Sequence, residues 1–559
     1  MKLETFFEKF DQFADAPDAV AKMRELVLDL AVQGKLVPQD PNDEPADSIF
    51  HATQYFFQRS VAAKKLSPPK PLPPVEDSEV PFSLPSGWAW FRLGQVMRIS
   101  SGDGLTAKDM IEGPFPVYGG NGVNGYHHKH NVAKRTLVIG RVGFYCGSIH
   151  ITPERAWVTD NAFITTFDEE HVDMDFLSWL LKATDLRERD NATAQPVISG
   201  GKIYPTVLAL PPLAEQKRIV AKVDELMALC DRLETQQQER ETRHAALARA
   251  SLARFADAPT PANLEYLFHP SYAIPPADLR KSVLTLAVQG KLVPQDPNDE
   301  PAEELLREIE GEKKRLSDSG ELKADKKAWL NSSPTPPHDI PDSWSWVRLQ
   351  DVFEISRGGS PRPAGDPRFF GGSIPWITVG EVTKDSGKYL TATATGLTEE
   401  GAERSRFINP GDLLLTNSGA TLGVPKISKI RGCMNDGVAI LRLFHSFDFN
   451  EFGYLYLTHQ TAAFRNLNQG MGQPNLNTPI IAGWFFPLPP LAEQRRIVAK
   501  VDELMALVDA LETQLTASRA TAANLLSALV AELTGTPNNG KVSVLSTAST
   551  GRRGRPPKS

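Results

Sequence analysis

The sequence predicts an α+β chain: two compact α/β domains separated by long antiparallel coiled-coil helices, laid out as a pseudo-two-fold, circularly permuted internal repeat. Three observations carry this. The segment LAVQGKLVPQDPNDEPA stands at Leu30–Ala46 and again, unchanged, at Leu286–Ala302, an offset of 256 residues. A second segment, LPPLAEQKRIVAKVDELMALCDRLETQ at Leu210–Gln236, returns at Leu488–Gln514 with three differences, Lys217/Arg495, Cys230/Val508 and Arg232/Ala510, and an offset of 278. Between the matched blocks, residues 90–209 and 346–487 share only scattered anchors, and the second copy carries 22 net additional residues. The order is constant, variable, constant, variable, constant.

An N-terminal constant region spans 1–83. Its helix places Met23, Val27 and Leu30 on one face and stops at Gly34, a natural C-terminal end. A Pro-rich joint, Ser67–Pro81, then acts as a semi-rigid spacer. The first variable domain, 84–209, opens with LPSGWAWFRLGQVMRIS, which answers IPDSWSWVRLQDVFEIS at Ile340–Ser356. Trp88 pairs with Trp344, Trp90 with Trp346 and Arg92 with Arg348. The two leading tryptophans read as core at the domain entry. Within the domains Asp160 answers Asp436, Gln195-Pro196 answers Gln473-Pro474, and TLVIGRVGFYCG (Thr136–Gly147) answers DLLLTNSGATLG (Asp412–Gly423). These anchors point to one fold with two different surfaces.

The central constant region, 210–339, begins with Pro211-Pro212 and an acidic first turn, a helix-start signal. Ile219, Val223, Leu226, Cys230 and Leu233 then alternate spacings of four and three. The C-terminal constant helix, 488–535, repeats this seam with Ile497, Val501, Leu504, Val508 and Leu511. A helix over 213–254 would run about 60 Å. Its expected partner is the shorter helix at Ala277–Val288, which stops at Gly290, and the C-terminal helix is expected to fold back on the N-terminal one. The second variable domain is 340–487, and 536–559 is a flexible basic tail.

The net charge of −7 excludes DNA binding by bulk positive charge. Three scattered cysteines exclude a disulfide framework and any CxxC metal knuckle, and fit a reducing, cytoplasmic setting. The acidic N-terminus lacks the apolar stretch of a signal peptide, and no apolar run reaches the length of a membrane span. GNGVNG at Gly120–Gly125 matches a dinucleotide pattern, yet no apolar helical face follows, so a glycine loop approaching a ligand is the better reading. His127, His128 and His130 have no spaced partner ligands, so no metal is expected. Neither a phosphate-binding GxxxxGK[ST] loop nor an amino-methyltransferase [DNS]PP[YFW] signature occurs, and no catalytic residue is expected. Near the end, RGRP at Arg553–Pro556 is similar to an AT-hook core, which makes Arg553 and Arg555 candidate auxiliary DNA contacts against the plainer reading of a solvated tail.

Two divergent domains, each followed by PPLAEQKRIV or PPLAEQRRIV, resemble the specificity subunit of type I restriction–modification systems over nearly the whole chain. The resemblance implies a non-catalytic reader in which each variable region is a target recognition domain for one half of a bipartite double-stranded DNA target. The helices would set the unspecified spacer. Two methylation subunits would dock on the constant regions and methylate adenine with S-adenosylmethionine. Restriction subunits would cut unmodified DNA with ATP and Mg2+. No cofactor is expected in this chain.

Residue type and loop placement mark the candidate readers, since Arg, Lys and Asn fork onto base edges. They are Tyr118, Asn121, Tyr126, His127, Lys129 and Arg141 in the first domain, and Arg357, Ser360, Arg362, Arg368, Asn417 and Ser418 in the second. Arg141 and Asn417 occupy matching positions. The competing readings are a coiled-coil scaffold that binds only proteins, and a self-contained modification–restriction enzyme.

Overall fold

The computed structural model describes residues 3–534 other than 15, 17, 69, 144, 185, 187–196, 270–271, 323–334, 445–448 and 468–474. The Gln-Pro anchors and the tail arginines Arg553 and Arg555 lie outside the described residues. The chain forms two compact units. One joins the residues up to Arg240 with those from Ala517 onward, and the other is Glu241–Thr516. Among the described residues no helix is long and apolar enough to cross a membrane.

The first unit begins with short helical turns carrying Phe6, Phe10 and Phe13, followed by helices α1 (Ala19–Val32) and α2 (Asp47–Ala62). The strands are β1 (Ala89–Arg92), β2 (Met97–Ser101), β3 (Phe115–Gly119), β4 (Gly122–His127), β5 (Leu137–Gly140), β6 (Ile149–Ile151), β7 (Trp157–Val158) and β8 (Ala162–Phe167). Helix α3 (Met174–Lys182), β9 (Val207–Leu210) and the long helix α4 (Leu213–Asp257) follow; α4 belongs to this unit up to Arg240. An antiparallel sheet runs β2-β8-β5-β6, a smaller one β4-β3-β7, and β1 pairs with β9 to tie the domain's entry to its exit. The apolar run LVIG of β5 is buried on both faces, as a central strand requires. Asp173 caps α3 by accepting from the Phe176 N–H at 2.9 Å.

The second unit repeats this order. It contains α5 (Pro276–Val288), α6 (Ala302–Asp318), β10 (Ser345–Arg348), β11 (Phe353–Arg357), β12 (Phe370–Ile377), β13 (Tyr389–Leu390), β14 (Gly396–Leu397), β15 (Arg406–Ile408), β16 (Leu413–Thr416), β17 (Pro425–Ser428), β18 (Gly432–Met434) and β19 (Val438–Leu443). Helix α7 (Asn450–Arg465), β20 (Phe485–Leu488) and α8 (Leu491–Thr534) complete it; α8 belongs here up to Thr516. The main sheet is β11-β19-β16-β17-β13 and the smaller one β14-β12-β18-β15. Strand registers locate the inserted residues. The parallel pair Val117–Trp157 is matched by Trp376–Cys433, an offset of 259 at β3/β12, whereas β5/β16 are offset by 276. Most of the insertion therefore lies between those strands, where the second unit builds β13, β14 and β15.

The repeated segment is an internal clamp. Helices α1 and α5 end in a Schellman turn: Lys35 N–H bonds to the Leu30 carbonyl at 2.9 Å and Lys291 N–H to Leu286 at 3.0 Å, with Gly34 and Gly290 both at φ +69. A side chain at Gly290 would meet Pro341 at 2.5 Å and Trp344 at 3.0 Å. Beyond the turn, Gln39 reaches Glu215 at 3.1 Å and Gln295 reaches Glu493 at 2.6 Å. Asp43 pairs with Arg218 at 2.6 Å and Asp299 with Arg496 at 2.5 Å. The buried amides Gln216 and Gln494 donate back to the carbonyls of Pro211 and Pro489. Thus LAVQGKLVPQDPNDEPA and PPLAEQxRIV hold each other, once per unit, and loss of one of these part-buried bonds is expected to cost about 1 kcal/mol.

The helix pairing includes the expected partners and adds a second to each short helix. Arg24 of α1 bonds to Asp231 at 2.7 Å and Glu234 at 2.6 Å on the first half of α4, and Arg280 of α5 bonds to Asp509 and Glu512, each at 2.6 Å, on the first half of α8. The expected partners share the same cores: Leu526 of α8 joins Met23 and Leu26 in the first unit, and Phe255 of α4 joins Leu279 and Val283 in the second. Each short helix is therefore sandwiched between the start of one long helix and the end of the other, because its apolar face is wider than a two-helix seam. Ile219, Val223, Leu226, Ile497, Val501, Leu504 and Val508 are buried, and Leu511 is half-buried.

Asp29 distinguishes the copies. Burial, with Glu25 one turn before it, pushes its carboxyl up to about 6. The second copy has Thr285, whose hydroxyl donates to the Lys281 carbonyl at 2.8 Å. A raised carboxyl favours the folded state at low pH, and that contribution is lost as pH rises through about 6. Asp29→Asn is expected to raise stability at pH 8 by about 2 kcal/mol and to leave it unchanged at pH 4, as read by urea denaturation at both values.

Candidate nucleic-acid interface

Arg141 and Asn417 stand at the same end of the main sheet in the two units. In the first, Arg141 follows β5; its N–H donates to the Asn161 carbonyl at 2.9 Å and its carbonyl accepts from Ile198 at 3.0 Å. In the second, Asn417 follows β16; its N–H donates to Gly437 at 2.9 Å and its carbonyl accepts from Leu476 at 2.8 Å. The backbone is thus held alike while the side chains differ. Arg141 donates through Nη1 to Ser101 Oγ at 3.2 Å and the Asp160 carbonyl at 3.3 Å, over the Phe163 ring. Asn417 is 1% exposed, with no hydrogen-bond partner for its Oδ1. Burial removes that side chain from the surface assigned to it by sequence, since the strand end tucks under the Asn435–Val438 turn.

Three residues of the second domain converge on Asp436. Arg357 Nε donates to its carbonyl at 2.6 Å, Ser360 Oγ to Oδ1 at 2.6 Å, and Arg362 lies 3.9 Å from Oδ2. Arg357 and Arg362 are exposed, one held on the Asp436 carbonyl and the other near its carboxylate at the sheet end. Arg368 does not join them. It pairs with Asp366 at 2.6 Å and holds that carboxyl down to about 2. Ser418 is half-buried and bridges to Asn475.

The glycine-rich segment of the first domain is a β-hairpin, not a loop laid on a ligand. β3 and β4 pair from Phe115–His127 to Gly119–Gly122, and Gly122 sits at φ +88. A Cβ on Gly120 would meet the Val142 carbonyl at 2.5 Å, so protein backbone occupies the space there. Hairpin alternation turns side chains in and out. Tyr126 is 56% exposed, Asn121 stands exposed at the tip and Lys129 is exposed beyond it. Tyr118 and His127 are corrections to the surface reading: both are buried. The Tyr118 hydroxyl lies 3.5 Å from the Ile151 carbonyl, and His127 Nδ1 accepts from the Ile111 N–H at 3.1 Å with its ring edge-on to Trp157. His127 lies edge-on to His128, ring centres 4.4 Å apart, but its Nδ1 is bonded inward, and His130 packs on Phe115 instead. Among the described residues, Asp168, Glu170 and His171 form the one group spaced closely enough to hold a cation, and His171 Nδ1 already bonds to Asp168 at 2.9 Å.

Ser101 and Asp436 were not among the candidates read from sequence. Asp436 carried a signal, since an Asp repeated between two otherwise divergent segments marks a shared corner of the fold.

The family model for the type I restriction modification DNA specificity domain matches residues 85–241 and 341–518, more than half of the chain. The chain belongs to the type I restriction–modification specificity-subunit family. In that family the subunit is a DNA recognition component and generally not catalytic. The chain is 27% identical to the type I restriction enzyme EcoAI specificity subunit of Escherichia coli, covering 91% of this chain and 93% of that one. It is likewise 27% identical to the EcoEI specificity subunit of Escherichia coli over the same shares. Among solved structures, it is similar to the HsdS subunit from Thermoanaerobacter tengcongensis at 20% identity and TM-score 0.41, covering 82% of this chain and 100% of that one. A chain from a type I R-M system assembly matches at 21% identity and TM-score 0.45, covering 81% and 99%.

Proposed function

We propose that each variable domain of this specificity subunit reads one half of a bipartite double-stranded DNA target. In this reading the length of α4 and α8 governs the number of unspecified base pairs between the halves. The constant regions dock two methylation subunits, which methylate adenine with S-adenosylmethionine, and restriction subunits that use ATP and Mg2+ to cut unmodified DNA. One observation supports this reading above the others: Ser101 and Arg357 stand exposed at the equivalent ends of β2 and β11 with different side chains, while the backbones of Arg141 and Asn417 beside them are held alike. A frame kept constant while its exposed corner changes is what a reader of two different sequences needs.

At the sheet end Arg357 and Arg362 supply positive charge and forked donors for phosphate or guanine. In the first domain Asn121, Tyr126 and Lys129 supply the hairpin contacts. The subunit itself needs no catalytic group, because the partners carry the chemistry. The acidic overall balance is met by phosphate contacts from those partners.

Sequencing the adenine methylation of the host genome, with and without this gene, tests the reading. A two-part motif is expected to be methylated when the gene is present and unmethylated when it is deleted. The purified chain, incubated with labelled S-adenosylmethionine and DNA, is expected to transfer nothing; transfer by the chain alone would overturn the assignment in favour of a self-contained enzyme.

A further inference from the structure

The two units share their clamps, yet the first carries a groove whose lining residues are not repeated in the second. A cavity of about 560 Å3, open to solvent, runs along α2, a size that accepts a short peptide segment. Phe50 and Phe57 wall it on the helix side, and Leu72 of the Pro-rich joint closes the other. Arg98 lies at its base, half-buried, with its guanidinium 4.3 Å from the centre of the Phe57 ring and 5.7 Å from that of Tyr204. It donates to the backbone carbonyls of Gly94 and Met97, and burial lowers its pKa from the ordinary arginine value. Among the described residues no carboxylate pairs with it, and Lys70 is the other charged residue on the lining.

The second unit is an internal control. The 256 offset holds on both sides of α2, and the inward positions agree: Ile49 and Thr53 are buried as Leu305 and Ile309 are. At the groove positions the residues change character. Phe57 becomes Lys313, Arg98 becomes Glu354, and Gln54 and Gln58 become Glu310 and Lys314. Lys313 there donates to the Gln350 carbonyl at 3.0 Å. Phe50 becomes Leu306 and stays apolar, but the same frame folds with charged side chains at the other places, so packing does not demand Phe57 and the half-buried arginine. A half-buried guanidinium that bonds to carbonyls but to no carboxylate keeps its charge available to an incoming anion.

We propose that this groove docks one extended, acidic–apolar segment of a partner protein, its carboxylate on Arg98 and its apolar side chains against Phe50 and Phe57. Charge favours this occupant, since the lining holds two cations and no acid. The apolar walls disfavour a phosphate backbone, which keeps its water. Gln54 and Gln58, one turn apart on the exposed rim, are about 6 Å apart along the helix, close to the roughly 6.6 Å two-residue repeat of an extended chain. Their amides match the main-chain donors and acceptors of such a segment. Because Phe57 and Arg98 are replaced by Lys313 and Glu354 in the second unit, the site takes one segment per chain. The inference stands independently of the DNA-reading assignment.

The test is selection of a displayed random peptide library on the full chain, with counter-selection on the Arg98→Glu variant, then fluorescence anisotropy of the recovered peptides. The expected sequences carry Asp or Glu between large apolar residues and bind Arg98→Glu at least about tenfold more weakly, a loss of about 1.4 kcal/mol. Gln54→Trp, which fills the groove from its exposed rim without touching Arg98, is expected to weaken them equally. The proposal is overturned if no peptide binds saturably, if the recovered sequences lack acidic residues, or if both variants retain them. Displacement of the peptides by duplex DNA overturns it in favour of a nucleic-acid surface. Self-association lost in Gln54→Trp overturns it in favour of a second copy.

Discussion

Exchange of residues 90–209 for the matching domain of a relative with a different target is expected to change one half of the methylated motif completely. The other half and the spacer length should stay as they were. Methylome sequencing of a host carrying the exchanged gene and its methylation partners reads all three quantities at once. The expectation rests on how the domain is attached. Its entry and exit strands, β1 and β9, pair with each other from Ala89–Leu210 to Arg92–Val207, so the chain enters and leaves at one place. The PPLAEQ clamp lies outside the exchanged segment and keeps its contacts with Gln39 and Asp43. An unchanged motif would show that the domain between these strands is not the reader.

Phe486→Ala is expected to be the most damaging single core substitution in the second unit, with a loss of about 3–5 kcal/mol. Phe486 is fully buried on β20, and its ring meets Phe353, Phe452 and Tyr456 at 5.9, 5.8 and 5.2 Å between centres. Its place joins the exit strand to the sheet and to α7, so a cavity there loosens three elements. The first unit carries Leu208 at the equivalent position, also buried. Phe486→Leu is therefore expected to cost much less, about 1 kcal/mol. Urea denaturation of the two variants measures the difference; equal losses would mean that the aromatic contacts, and not the volume filled, carry the stability of this cluster.

The constant parts were legible in the sequence because their periodicity is a local property. The four-three spacing of Ile219, Val223, Leu226 and Cys230 announced a buried seam, and the structure buries each of them. Gly34 and Gly290 announced helix stops, and both adopt positive φ. What periodicity does not carry is partner choice. Three helices with similar apolar faces can be paired in several ways, and the ion pairs that decide it, Arg24 with Asp231 and Glu234, join residues far apart in the chain. The candidate site was less legible for a related reason. GNGVNG reads equally as a ligand loop or a hairpin turn, and that choice decides which side chains face out. Taking it as a loop exposed His127, whereas the pairing of β3 with β4 turns it inward. Arg357, Ser360 and Arg362 were picked by residue type, and their convergence on Asp436 appears once the two strand ends lie side by side.

The composition of the first unit bears on how the protein is made. Ala522, Leu526 and Leu529 complete a core whose other members include Phe6, Phe13 and Met23. A ribosome translates those aromatic residues first and the three that cover them only after the whole of the other unit. During that interval the second unit has all its parts within one continuous stretch and is free to fold, while the first waits with an apolar face uncovered. Synthesis that stops early would therefore leave a product with one finished half and one sticky half, a form that proteases and chaperones distinguish from the full chain.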